Sequence, residues 1–190
     1  NVQSKTLLAS GFDGRQTEFH QLNIRWNIAK KFAIKNVAEM GQKKSTVDYT
    51  TGRNYSVSYT SLKPEFSYQP GTAFRAAASV RLEEDRNTPG LGGEKANVTD
   101  VGLEIRYNQS QKGSLSTTFN VVNIKYNGNA NSAVGFMMLE ALKPGENYTW
   151  SLVYQRNIGK NLQLSIRYNG RKSQLSKTIN TGGVELRAFF

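Results

Sequence analysis

The chain has 190 residues, a formal net charge of +11, no cysteine and a single histidine, His20. This length fits one domain spanning residues 1–190, and the missing cysteines exclude disulfides and thiolate metal sites. With one histidine, few acid–base or metal constellations remain, so we expect no enzyme activity, no cofactor and no metal. No apolar run reaches the roughly 18 residues of a transmembrane helix.

Apolar and polar residues alternate along most of the chain, which is the period of a β-strand whose two faces differ. In chain order the alternation predicts ten strands, near residues 2–10, 17–27, 31–41, 54–68, 73–84, 98–108, 113–126, 147–156, 161–171 and 182–190. A lipid-facing strand alternates in this way, so a membrane β-barrel can have the mean hydropathy of −0.56 found here. The first strand alternates least well.

The connections between these strands fall into two alternating classes. Short turns are predicted at Asn27–Lys31, Gln69–Thr72, Asn108–Gly113 and Asn157–Asn161. Long polar loops are predicted near 42–53, 85–97, 127–146 and 172–181, with a shorter one at Gly11–Gln16. Short periplasmic turns and long external loops are typical of outer-membrane barrels. An even strand count then places both termini on the periplasmic side.

Two strands change phase, because their apolar residues move from one parity to the other. In the fourth strand Tyr55 and Val57 differ in parity from Phe66, and in the seventh Phe119 differs from Ile124. A β-bulge in each strand would restore a single apolar face, so we expect two bulges. The apolar residues of 132–142 are clustered rather than alternating, which predicts a short helix within a loop.

Aromatic residues concentrate near the predicted strand ends. Such rings collect at the two membrane–water interfaces, because an apolar ring with a polar tip suits the headgroup level. The predicted girdle comprises Trp26, Phe32, Tyr68, Phe74, Tyr107 and Tyr154 at the periplasmic end, and Tyr55, Tyr126, Tyr148 and Tyr168 at the outer end.

The last strand ends in an aromatic residue. Val184, Leu186, Ala188 and Phe190 share the lipid-facing parity, whereas Phe189 lies on the other. A terminal strand of this form fits the signal read by barrel-assembly machinery, since an exposed edge strand can pair with a partner by β-augmentation.

The segments "LKPGENYTWSLVYQRNIGKN" and "NLQLSIRYNGRKSQLSKTINTGGVELRAFF" resemble the C-terminal barrel region of large outer-membrane proteins of Bacteroidota-type bacteria. "LKPEFSYQPGTAFRAAASV" fits the same resemblance, which covers about the last two-thirds of the chain. It implies an outer-membrane barrel and a chain that ends a longer polypeptide. It carries no catalytic residue.

Charged residues take the polar parity of many strands and are predicted to face the lumen. They are Arg25, Lys35, Glu39, Arg75, Arg81, Glu83, Glu104, Arg106, Arg167, Glu185 and Arg187. In a narrow barrel they would neutralise one another, and in a wide one they would line water and favour anions. His20 takes the lipid-facing parity, where a catalytic role is not expected.

The sequence therefore predicts an all-β antiparallel transmembrane barrel of about ten strands, or the C-terminal part of a larger barrel. We expect a structural or transport wall or pore whose partners are outer-membrane lipid, lipopolysaccharide, barrel-assembly machinery, and other chains or preceding strands. The alternatives are a soluble basic all-β domain that binds nucleic acid or another polyanion, and a small barrel enzyme. The basic residues do not cluster on one surface, which disfavours nucleic acid.

Overall fold

The computed structural model describes residues 2–8, 11–48, 51–159, 161–174 and 176–189. These residues form ten strands: β1 Val2–Leu8, β2 Gly11–Ala29, β3 Phe32–Val47, β4 Tyr55–Tyr68, β5 Phe74–Asn87, β6 Lys95–Gln109, β7 Gly113–Tyr126, β8 Gly145–Asn157, β9 Leu162–Ser173 and β10 Ile179–Ala188. The connections contain two short 3-10 helices, Thr51–Arg53 and Pro89–Leu91, and one α-helix, α1, Ala133–Met138. The all-β class, the ten strands and the short helix confirm the sequence predictions.

All ten strands belong to one antiparallel sheet in which each strand pairs with its neighbours in the chain. Within the described residues β1 pairs only with β2, and β10 pairs only with β9. The sheet is therefore open, and closure into a barrel is not observed. β1 pairs with β2 only from Gly11 to Thr17, so the rest of β2, Phe19–Ala29, borders no strand on that side among the described residues.

The two ends of the sheet differ, as the sequence predicts. At the turn end, short connections such as Lys30–Lys31 join the strands, and at the loop end lie longer connections such as 127–144. The strands extend further toward the loop end than their polarity predicts. β2 begins at Gly11, and β3 continues to Val47, so the loop predicted at Gly11–Gln16 and the first part of 42–53 are wrong. These polar residues belong to strands because their backbone groups form hydrogen bonds with the neighbouring strands.

The two predicted bulges are absent. The β3–β4 ladder keeps one register from Phe32 opposite Tyr68 to Ser45 opposite Tyr55, and the β7–β8 ladder is equally regular. The β4–β5 ladder is interrupted at Pro64 without a change of register, because proline has no N–H to donate. The apolar residues of β4 and β7 therefore do change faces.

The change of face is explained by α1, which packs on one side of the sheet near the loop end. We call this side the inner face and the opposite side the outer face. Buried residues of the sheet and helix form two adjoining clusters: Val57, Ala96, Val134 and Met138, and Val98, Val122, Ile124 and Leu139. The inner face is consequently apolar beneath the helix, and elsewhere it is mainly polar, with the exposed Phe19 and Ile179 as exceptions.

Two polar residues hold the α1 segment, residues 129–142, in place. The hydroxyl of Ser132 accepts a hydrogen bond from Gly135 N at 3.0 Å and caps the helix. Asn147 is fully buried, and its Nδ2 donates to the carbonyls of Lys143 at 2.8 Å and Gly145 at 3.0 Å. Its Oδ1 accepts from the Ser173 hydroxyl at 2.6 Å, which ties the end of the loop to β9.

Candidate functional site

The outer face exposes large apolar side chains from β2 to β10. They are Leu22, Ile24 and Trp26 in β2, Phe32, Ile34 and Met40 in β3, Leu62 and Phe66 in β4, Val80 and Leu82 in β5, Val101, Leu103 and Tyr107 in β6, Phe119 in β7, Tyr168 in β9, and Val184 and Leu186 in β10. Trp26 is 67% exposed and Val184 72%. Water-soluble monomers rarely expose a contiguous apolar patch larger than a few hundred Å².

The total accessible surface also exceeds that of a compact protein. It measures 12656 Å² for a chain of 21.2 kDa. A compact folded chain of this mass exposes about 9,100 Å². The excess arises because a single layer of strands leaves most of one face uncovered and part of the other.

Aromatic rings line the outer face at the turn end. The ring of Phe32 lies 5.7 Å from that of Phe66 and 4.9 Å from that of Tyr68, and Tyr68 lies 6.5 Å from Phe74. Phe74 stands opposite Tyr107 on the next strand. Trp26 and Tyr154, also predicted for this end, share the outer face with them through the strand register.

At the loop end only part of the predicted girdle lies on the outer face. Tyr148 and Tyr168 do, and Tyr148 lies 6.4 Å from Phe119. Tyr55 and Tyr126 instead pack against the buried cluster under α1, so their assignment to the girdle was wrong. Both belong to the segments that change face, and the expected bulges would have turned them outward.

The final strand carries its apolar residues on the outer face. Val184 stands opposite Ile166, Leu186 opposite Leu164, and Ala188 opposite Leu162. All three are exposed. Phe190, the fourth residue of the predicted assembly signal, lies outside the described residues.

All the charges predicted for the lumen share the inner face. They are Arg25, Lys35, Glu39, Arg75, Arg81, Glu83, Glu104, Arg106, Arg167, Glu185 and Arg187. The pairing registers decide this, because residues opposite each other in a ladder point to the same side. His20 stands opposite Met40 on the outer face, away from these charges.

Ion pairs connect inner-face charges across neighbouring strands. Arg75 of β5 bridges Glu65 of β4 at 2.7 Å and Glu104 of β6 at 3.0 Å, and Arg106 also pairs with Glu104. Glu65 was not predicted from the sequence to face this side, although its odd-numbered position gave the signal. The bulge expected in β4 would have shifted the alternation of faces in that half of the strand.

A second ion-pair group fixes the α1 segment to the sheet. Two nitrogens of Arg81 each donate to a different oxygen of Glu140 at 2.8 Å, and Arg81 also pairs with Glu83 at 2.9 Å. Glu140 lies just after α1, and these hydrogen bonds lower the pKa of its carboxyl. The Arg171 guanidinium donates to the carbonyl of Ala141 at 3.3 Å from the far side. The segment is thereby held from both β5 and β9.

The inner face of β7 and β8 carries no charged side chain. Hydroxyl and amide groups occupy it instead, and the Thr118 and Ser151 hydroxyls lie 2.6 Å apart. Asn120 Nδ2 donates to the Thr149 hydroxyl at 3.3 Å. This part of the face is hydrophilic and neutral, whereas the face of β2 to β6 is hydrophilic and ionic.

No family model, curated protein or solved structure matches this chain. Only the chemistry and positions of its own residues therefore indicate which activities it can have. Across the described ranges there is no group of three or more His, Asp or Glu side chains that could hold a metal ion. In the same part of the chain, α1 and the two 3-10 helices are all too short to cross a membrane.

Proposed function

We propose that this chain is an integral outer-membrane β-barrel protein, acting as a structural or transport wall within a larger chain or assembly. The observation that carries the proposal is the apolar outer face, which is free of charge through the middle of every strand from β2 to β10. Exposing that face to water would cost free energy, whereas the hydrocarbon of a membrane would remove its apolar side chains from water.

The height of the apolar zone fits a membrane. On β8 the outward residues Tyr148, Trp150, Leu152 and Tyr154 lie between the outward charges Glu146 and Arg156. The ten steps between these charges cover ~34 Å along an antiparallel strand. After a tilt of about 40°, this corresponds to ~26 Å, and barrel proteins carry an apolar band about 25 Å tall.

The outward charges near the loop end are mainly cations, which suit the outer leaflet. Lys44, Arg86, Lys95, Lys125 and Lys172 lie on the outer face at this end, together with the carboxylates Glu18, Glu84 and Glu146. Cations at this level can contact the phosphate groups of lipopolysaccharide. In the proposed orientation the loop end lies outside the cell, and the turn end, where β10 ends, lies in the periplasm.

The open edges support a larger chain or assembly. Among the described residues, no strand pairs with Phe19–Ala29 of β2 on one side or with the second side of β10, and both edges lie at the level of the apolar zone. Each unsatisfied group in hydrocarbon costs several kcal/mol, so a membrane form needs strands along these edges. Preceding strands or another chain would supply them, and β10 would present its edge to barrel-assembly machinery during insertion.

The two tryptophans provide a direct test, because Trp26 and Trp150 both lie on the outer face. The protein would be refolded into vesicles with ordinary or chain-brominated lipids, using Trp26→Phe and Trp150→Phe to isolate each ring. We expect brominated lipids to quench both tryptophans, and the folded protein to migrate differently on a gel before and after heating.

Tryptophans that remain unquenched in a protein that stays soluble without detergent would overturn the proposal. In that case salt-dependent binding of nucleic acid would support the soluble basic domain instead. A hydrolytic activity in the vesicles would favour the barrel enzyme.

A further inference from the structure

A hollow of 250 Å³ lies on the inner face toward the turn end. Its floor includes Ala33 and Ser67, which stand opposite each other on β3 and β4. Both are buried, and the Ser67 hydroxyl donates to the carbonyl of Ala33 at 3.3 Å. The hollow exists because these small side chains lie among long charged ones. Its volume corresponds to roughly eight water molecules at about 30 Å³ each.

Four cations and two carboxylates line this hollow. The cations are Arg25, Lys35, Arg75 and Arg106, and the carboxylates are Glu65 and Glu104. Four positive and two negative charges leave a net charge of +2. Lys30 and Lys31 line an adjoining hollow of 420 Å³ that shares Arg25 and Ser67 with the first. The positive potential therefore extends to the turn end of the sheet.

The two carboxylates are already engaged by two of the cations. Arg75 binds both Glu65 and Glu104, and Arg106 also pairs with Glu104. Among the described residues no carboxylate forms an ion pair with Arg25 or Lys35, and Arg25 Nε donates only to the amide oxygen of Asn27, at 3.2 Å. Lys35 stands between Arg25 of β2, whose like charge repels it, and Glu65 of β4, whose carboxylate is bound by Arg75.

We propose that this hollow binds a phosphate group, with Arg25 and Lys35 as its principal ligands. A phosphate group carries a charge near −2 at neutral pH, which matches the net charge of +2 in the hollow. The guanidinium of Arg25 offers paired N–H donors suited to phosphate oxygens, and the ammonium of Lys35 adds a compact charge. A bound phosphate would also relieve the repulsion between the two cations.

The phosphate site does not depend on the sheet being closed or inserted in a membrane, since all its residues lie on five neighbouring strands from β2 to β6. Binding can therefore be measured in maltoside micelles at low salt, where the detergent contributes no phosphate. Calorimetric titration with inorganic phosphate would be compared between the native chain and the double variant Arg25→Gln/Lys35→Gln. We expect saturable binding by the native chain and at least a tenfold loss in the double variant.

Two further variants separate a specific site from general attraction to a basic protein. Glu65→Gln raises the net charge of the hollow and frees Arg75, so phosphate should bind several-fold more tightly. Lys125→Gln removes one charge from the outer face at the loop end, and phosphate affinity should stay unchanged. Circular dichroism would verify that each variant keeps its sheet.

Three results would overturn the proposal: no saturable binding to the native chain, equal weakening by Lys125→Gln, or weaker binding in Glu65→Gln. Failure of lipid quenching alone would refute membrane insertion and leave the phosphate site intact. Conversely, a quenched protein without phosphate binding would refute this site alone.

Discussion

Replacing Leu103 by arginine tests whether the outer face contacts hydrocarbon. Leu103 is 48% exposed on β6, between Ala78 and Phe119 of the neighbouring strands. It lies four residues from Tyr107, or ~14 Å along the strand and ~10 Å in depth at a tilt of about 40°. In a band about 25 Å tall, this position is close to the midplane.

The expected cost follows from that depth. Arginine at the midplane of a barrel destabilises it by about 2–4 kcal/mol, and arginine near the interface by about 0–1 kcal/mol. Asn97→Arg is the matched control, because Asn97 lies on the same face of β6, six residues toward the loop end. The difference between the variants, about 1–4 kcal/mol, corresponds to a change in the unfolding equilibrium of roughly fivefold to several hundredfold.

Urea titration of the protein in vesicles would measure both variants by tryptophan fluorescence. With a urea dependence of ~2 kcal/mol per molar, Leu103→Arg should lower the unfolding midpoint by about 1–2 M. Asn97→Arg should lower it by less than about 0.5 M. Equal midpoints for the two variants would refute a hydrocarbon environment at Leu103, since a water-exposed face tolerates arginine at either position.

Two further predictions concern the α1 segment. Met138→Ala should destabilise the fold by about 2–5 kcal/mol because Met138 is 1% exposed, whereas Phe136→Ala should have little effect because Phe136 is 66% exposed; chemical denaturation of the two variants would check this. Glu140→Gln should speed amide exchange across the α1 segment because it weakens the bidentate pair with Arg81, and the exposed residue Glu84 provides the control variant Glu84→Gln. Since Arg81 lowers the pKa of Glu140, the ion pair contributes fully above the ordinary pKa of glutamate and is lost as the pH falls through the lowered value. Protection of these amides, measured against their intrinsic exchange rate at each pH, should therefore fall only in acid. Protection that does not change with pH, or an equal effect of the control, would contradict this role.

Alternation along single strands by itself determined much of the fold. A period of two fixes the strand class and assigns each residue to one of two faces, which is why Arg25, Arg75 and Arg167 share the inner face as predicted. The even number of strands and the alternation of short and long connections can likewise be predicted from local sequence patterns. Clustered apolar residues likewise predicted the short helix Ala133–Met138.

Only the tertiary structure decided where α1 packs, and this decided the faces of Tyr55 and Tyr126. A sequence pattern shows that apolar residues change parity but not whether a bulge or a second apolar surface is responsible. Here the second surface exists, because the α1 segment covers the inner face at the loop end. For the same reason, the sequence did not predict the contacts of Asn147 and Glu140 with the sheet. Their partners come close only when the α1 segment packs on the inner face. Contacts between segments distant in sequence depend on the path of the loop, and no local period encodes that path.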